Sequence, residues 1–416
     1  MTTATANLLH REPRISKKGR GALLICLVFV LSTDVAYRIS LGGLLVHPYL
    51  LLAPLVVILG NYRLFSFANK ITQPLFLFLG FFTIAQVING SPTEPVKVAS
   101  SVFTLLFFYQ AVRTRNDLEW ISVGLILVAI YVAFVAVQLS QSENLNRLDG
   151  ANALEGLGNK NAQSLFTLPG FFFCVFFIEQ ALTKRRRILI LLYGAALGLI
   201  SLGILYSANR SGYIGAILIV LSLVVRGGFS VRNLILSGLI LVVGGYLALT
   251  YTEDIIEHKL EQTTEGYSSD QKRQDLIVQG LLLGLENPVF GLGHDGLHEA
   301  LPDRIEKSYR AKQLDTHNTF AYILGSSGLL TFMFFVAYLY RSFYLPRLSK
   351  KYNGPYAKEY RSAVYMARVY LVLFLVRCQF TREILYSPTF LAGMGLVLSQ
   401  WYYYFNLIRR NLKSPS

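Results

Sequence analysis

Apolar runs of bilayer-crossing length recur along almost the whole chain. A hydrocarbon core of about 30 Å takes roughly 20 helical residues, and by that criterion about twelve spans are expected. They begin near Gly21, Leu41, Ile71, Val98, Ile121, Asn161, Ile188, Tyr213, Asn233, Thr319, Ser362 and Thr389. One long polar stretch, Tyr251 to Thr316, interrupts the pattern. It far exceeds the ~2–8 residues that usually join packed helices, which marks it as functional or disordered, and its amphipathic pattern favours the former. Within it, Glu253 to Leu260 and Ser269 to Leu285 read as short amphipathic helices. The second sets Ile277, Leu281, Leu282 and Leu285 at helical spacing beside Lys272, Arg273 and Asp275. Asn287-Pro288-Val289-Phe290-Gly291-Leu292-Gly293 then breaks the helix, since proline and paired glycines favour a tight turn. Asp303 to Gln313 is charged and expected to be helical.

Composition sharpens this into a class. Of 416 residues, 53% are hydrophobic and only 15% charged, where a soluble domain carries about 25% charged residues. The expectation is an all-α, polytopic integral membrane protein, a single membrane domain over residues 1–416 with one elaborated loop at 251–316. If both termini are cytoplasmic, 24 of the 39 Lys and Arg fall in inside segments, among them Lys184-Arg185-Arg186-Arg187 and Arg226. The long loop is then outside. The net charge of +15 is spread over separate turns and forms no contiguous patch, so it argues for topology and against nucleic-acid binding. Cys26, Cys174 and Cys378 lie far apart within expected spans and read as small apolar residues. The first apolar run lacks a small-residue cleavage site and is expected to be a retained span. No internal repeat is visible.

Candidate chemistry gathers at the outside ends. Asp315-Thr316-His317-Asn318-Thr319-Phe320 opens a span at the end of the polar loop. His317 either bonds a neighbouring backbone group there or handles protons, because an imidazole titrates near neutrality. Arg210 sits in Ser207-Ala208-Asn209-Arg210-Ser211-Gly212, a short external turn where topology asks for no positive charge. Its planar fork of donors suits phosphate oxygens, though a headgroup or capping contact fits equally. Arg273 alone is a solvated cation on an amphipathic helix. Arg147, Asn159, Lys160 and Asn161 lie in an external Gly- and Asn-rich segment that is either a plain turn or part of a polar pocket. Arg368 and Arg377 fall inside the eleventh span, where charge is costly. Arg368 is placed to snorkel inward, and Arg377, near Arg382, is the candidate for phosphate. His294 and His298 raise a metal, but two histidines among exposed acids in a turn make no recognisable zinc set.

In order, Gly158-Asn159-Lys160-Asn161, Asn209-Arg210-Ser211-Gly212, Arg273 before Asn287-Pro288-Val289-Phe290-Gly291-Leu292-Gly293, and His317-Asn318-Thr319-Phe320 running to Gly328 resemble the bacterial O-antigen ligase and polymerase family. The likeness covers residues 145–340, with the N-terminal spans matching in topology only. One departure is Ser327, where members often carry an acid. The resemblance implies a GT-C-like layout in the bacterial inner membrane, with the site facing the periplasm. It further implies transfer of a glycan from undecaprenyl diphosphate to a glycan or lipid A-core hydroxyl, with no cofactor or metal. Arg210, Arg273 and His317 would be catalytic; Arg147, Asn159, Lys160, Asn161, Asn318 and Arg377 would bind substrate. A polysaccharide polymerase with the same donor chemistry, a glycan or lipid exporter, and a non-catalytic assembly protein stay open.

Overall fold

The computed structural model describes residues 70–109, 117–141, 160–207, 209–227, 269–305, 315–344 and 354–413, and the backbone of two short strands. The strands, β1 (Ile39–Leu41) and β2 (Leu44–Val46), pair antiparallel. They fall where the second span was expected to begin, so a hairpin adds to the all-α reading. Eleven described helices follow: α1 (Thr72–Ile88), α2 (Thr93–Tyr109), α3 (Asp117–Gln141), α4 (Lys160–Thr183), α5 (Arg187–Tyr206), α6 (Arg210–Gly227), α7 (Ser269–Glu286), α8 (Gly293–Arg304), α9 (Thr319–Tyr344), α10 (Ala357–Phe380) and α11 (Pro388–Lys413). A 3₁₀ turn, Glu383–Tyr386, joins the last two.

Among the described residues five stretches are long and apolar enough to cross a membrane: Asp117–Gln138, Gln163–Thr183, Arg187–Tyr206, Thr319–Tyr344 and Ala357–Phe380. Helix α1 and Ser211–Leu223 of α6 are shorter apolar helices. Nine of the expected starts coincide with described helices; those near Gly21 and Asn233 lie outside the described residues, as does Glu253 to Leu260.

The helices pack in sequence-local groups joined through the C-terminal pair. Helices α3, α4 and α5 pack on one another, α1 and α7 both lie on α9, and α11 packs against α2, α10 and α4. Without a hydrophobic drive between helices in lipid, small residues that let backbones close up set these contacts. A Cβ on Gly203 of α5 would stand 2.3 Å from Ala133 of α3, and one on Gly395 of α11 would stand 2.4 Å from the Leu105 carbonyl of α2. The centre is aromatic: Phe172 and Tyr370 meet edge-on at 5.0 Å, and Phe390 lies 5.2 Å from Tyr370. By contrast, α5 turns Ile188, Leu191 and Leu192 outward, at 74%, 74% and 61% exposure, an apolar face suited to acyl chains.

The Pro-Gly turn is read correctly and has a partner. Helix α9 breaks at Gly328 (φ 79°, ψ 177°), and the turn docks into that break. The Leu329 amide donates to the Pro288 carbonyl at 2.7 Å, and the Leu292 amide donates to the Gly325 carbonyl at 2.9 Å. Where a turn was expected from His294 to Glu299, the chain forms α8 instead. The Ser91 hydroxyl accepts from the Asp295 amide (3.2 Å) and donates to its carboxylate (2.7 Å), and Asp295 sits at the positive end of the helix dipole. Of the expected helix at Asp303 to Gln313, the first two residues end α8, and 306–314 lie outside the described residues.

Candidate functional site

One end of the bundle collects polar side chains from the end of α1, the start of α2, the start of α6, the α7–α8 turn, the approach to α9, and the α10–α11 connection. These are segments that the Lys and Arg pattern puts outside. Around His317 the neighbours are anchored. Asn318 caps α9, its Oδ1 accepting from the amides of Phe320 (2.9 Å) and Ala321 (3.0 Å), while its amide donates to Gln379 (3.0 Å). The Thr319 hydroxyl donates to the Thr381 carbonyl at 2.7 Å. The cap is worth roughly 1 kcal/mol, and it commits both ends of the Asn318 amide to the fold. His317 itself is half-buried and left-handed, with φ 48°. For a residue with a Cβ this conformation costs about 1–2 kcal/mol, so the surroundings must hold it.

Asp315 does part of that holding. Its Oδ1 accepts from the His317 amide at 3.3 Å, and its Oδ2 pairs with Arg382 Nε at 2.6 Å. Arg382 then reaches inward. One Nη donates to His294 Nδ1 at 2.9 Å, and the guanidinium lies 5.0 Å from the centre of the Tyr322 ring. Because Arg only donates, His294 Nδ1 must accept, which leaves the proton on Nε2, 3.9 Å from Glu94 Oε1. Glu94 is 3% exposed and accepts from Tyr386 (2.8 Å) and Lys97 (2.5 Å). Burial holds the Tyr386 phenol well above its ordinary range, so it stays a donor. The Tyr322 hydroxyl, 2.8 Å from that of Tyr386, completes the chain. Burial likewise pushes His294 down to about 4, against the opposing pull of Glu94 and with help from Arg382 and His298. His294 is therefore a neutral linker at physiological pH and a poor proton acceptor.

A second polar group lies deeper. Arg377 is fully buried and donates to the Ser211 hydroxyl, which donates on to Asn209 Oδ1 at 2.6 Å. The Asn209 amide donates to Ser164 at 3.0 Å, tying α10, α6 and α4 together. This places Arg377 beside the first turn of α6, which Arg210 opens. Arg368 lies towards the other end, 5.8 Å from the centre of the Phe343 ring.

The remaining candidates are distributed as follows. Arg273 is exposed on α7 and makes no hydrogen bond or ion pair among the described residues. Helix α7 packs through Gly280 on Thr316 and through Gly284 on Leu324, so Arg273 lies two turns beyond the level of His317, roughly 10 Å further out along the axis. Lys160 and Asn161 open α4 and Arg210 opens α6, but these side chains, with Asn159 and Arg147, lie outside the described residues. Among the described residues no three His, Cys, Asp or Glu side chains are grouped for a metal. Glu94, Arg382, Tyr322 and Tyr386 were missed as site residues. Charge in a short connection between spans was the available signal for Glu94 and Arg382; the tyrosines offered none.

Apolar helices of spanning length around a buried network of Arg, His, Glu and Tyr at one end define a polytopic membrane protein with an end-facing polar site. Residues 195–336 match the family model described as O-antigen ligase, and the resemblance read from the motifs is thereby shown over that stretch. The stretch contains Arg210, Arg273 and His317. At the coarse level the matched stretch is similar to membrane enzymes of the O-antigen ligase and polymerase type. No curated protein matches the chain.

Proposed function

We propose that this protein is a metal-independent glycosyltransferase that moves a glycan from undecaprenyl diphosphate to an acceptor hydroxyl at the periplasmic face. The observation that carries the reading is the conformation of His317: left-handed, at the mouth of α9, with Asp315 clamped between its amide and Arg382. A strained backbone that the surroundings over-determine is characteristic of functional sites, and this one falls within the family match.

The acceptor oxygen attacks the anomeric carbon as the carbon–oxygen bond to the diphosphate breaks, and in-line geometry inverts that centre. The acceptor proton passes to His317. Negative charge builds on the departing undecaprenyl diphosphate, and fixed cations aimed at it stabilise the transition state. Arg210 and Arg273 take that role, and Arg377 supports the α6 turn from below through Ser211. Arg147, Asn159, Lys160 and Asn161 are assigned to substrate binding from the 146–161 segment, while Asn318 serves by holding the start of α9. Ligase and polymerase share this donor chemistry and differ in the acceptor; ligase is the reading adopted.

The test is glycan transfer by purified, lipid-reconstituted protein, given undecaprenyl diphosphate-linked glycan and a panel of acceptors in EDTA. Transfer that survives chelation and is lost in His317→Ala and Arg273→Ala supports the proposal, and the accepted molecule separates ligase from polymerase. A well-folded sample that transfers to nothing but moves the lipid carrier across the bilayer would establish the exporter instead.

A further inference from the structure

At the opposite end of the bundle the ends of α3, α4, α6 and α10 and the middle of α11 line a cavity of about 300 Å³ that plays no part in the proposed transfer. Its depth is set by the spans themselves. Helix α3 begins at Asp117, α4 ends at Thr183 and α10 begins at Ala357, and the cavity is lined by residues beside those termini, including Lys184, Lys358 and Glu359. A cavity at span ends lies at the level of lipid headgroups.

The lining is specific in chemistry. Arg226 is already committed: it donates to Glu179 at 2.6 Å and to Ser362 at 2.7 Å, and lies over the rings of Phe176 and Tyr365. Lys184 and Lys358 line the cavity and are exposed. On its inner side Gln400 is 8% exposed, and its Oε1 has no hydrogen-bond partner among the described residues. A buried amide oxygen without a donor is costly, and a native protein normally satisfies it. A bound group that reaches it would bring a donor. On the same lining, Lys184 and Lys358 suit a phosphate, and the Glu119 and Glu359 carboxylates with the Gln400 oxygen suit an ammonium.

We infer that this cavity is a binding site for the amino-phosphate headgroup of a membrane lipid, with the lipid phosphate on Lys184 and Lys358 and its ammonium donating to Gln400 Oε1 and Glu359. Phosphatidylethanolamine carries both groups within one short headgroup, whereas phosphatidylglycerol carries the phosphate alone, leaving Glu359 opposite a net anion. The site is independent of the transfer reaction proposed for the other end.

Native mass spectrometry of the intact chain, released from detergent in the presence of each lipid, reads the retained headgroup directly. Wild type is expected to retain one phosphatidylethanolamine in preference to phosphatidylglycerol. Gln400→Leu, which keeps the packing volume, should lower retention about tenfold or more, the size of one hydrogen bond to a charged donor. Gln400→Glu supplies a stronger acceptor for ammonium and should retain the lipid at least as well as wild type, which guards against loss through misfolding. Equal retention of both lipids, retention untouched by Gln400→Leu, or loss in a folded Gln400→Glu overturns the proposal. Calorimetric titration with free phosphoethanolamine separates the sources: saturable binding there without any retained lipid also overturns it, in favour of a soluble ligand.

Discussion

Gly328→Ala should destabilise the protein more than any other single methyl group added to α9. The residue sits at φ 79°, ψ 177°, a region open essentially to glycine alone, where a side chain costs ~1–3 kcal/mol. The added Cβ would stand 2.5 Å from the Val289 carbonyl oxygen and 2.7 Å from that of Pro288. Both obstacles are backbone, so no side chain can rotate away, and overpacking of this kind costs about 1–3 kcal/mol. Displacing the turn also strains the 2.7 Å bond from the Leu329 amide to Pro288, worth roughly 1 kcal/mol. These terms overlap, and a net loss of about 3–5 kcal/mol is expected, seen as a drop of roughly 5–10 °C in thermal unfolding in detergent. Gly80→Ala is the comparator: the same change inside α1, where a Cβ meets nothing within 4 Å, should leave stability unchanged or raise it by up to ~1 kcal/mol. If the two variants melt together, the break in α9 and the docking of the Pro-Gly turn into it are wrong.

Asp315→Asn keeps the shape of the His317 clamp but removes its charge; transfer should fall about tenfold in kcat with donor KM little changed, since letting His317 relax recovers ~1–2 kcal/mol. Equal kcat would detach Asp315 from the site. For pH, His294 has a folded value of about 4 against an ordinary 6.5, so between those values the unfolded chain binds the extra proton and acid destabilises the fold. The unfolding temperature of wild type should therefore drop from pH 6.5 towards 4, a linked loss on the order of 3 kcal/mol at most, and His294→Gln should flatten that drop. Arg377→Met should leave stability within ~2 kcal/mol of wild type, because an apolar replacement removes the cost of a buried charge. Its transfer should nevertheless fall about tenfold, because the α6 turn that carries Arg210 loses the Arg377–Ser211 support, a drop that unchanged turnover would refute.

Legibility followed sequence distance. The helix starts near Asn161, Ile188, Thr319 and Thr389 were visible because hydrophobic period and bilayer thickness are local constraints. The α7 pattern and the Pro-Gly turn were visible for the same reason. Helix α8 was misread because Gly293, Gly296 and the Asp295 between them carry turn chemistry; what makes the segment helical is its docking through Ser91, Asp295 and a 2.9 Å bond from the His294 amide to Gln86. Asn318 was legible as important but not as a cap, since capping depends on where its Oδ1 points.

By itself the chain's pattern of apolar, basic and Pro-Gly positions determined a predominantly helical membrane protein and its expected sidedness, and singled out Arg210, Arg273 and His317 as candidates, all of which runs of adjacent residues can encode. Only the tertiary structure decided which side chains meet. Glu94 and Tyr386 are 292 positions apart and bond at 2.8 Å, and His317 is left-handed while Arg382, 65 residues on, holds Asp315. Such pairings arise from helix packing across the bundle, where burial makes an unsatisfied charge too costly to leave alone and no local periodicity records the partner.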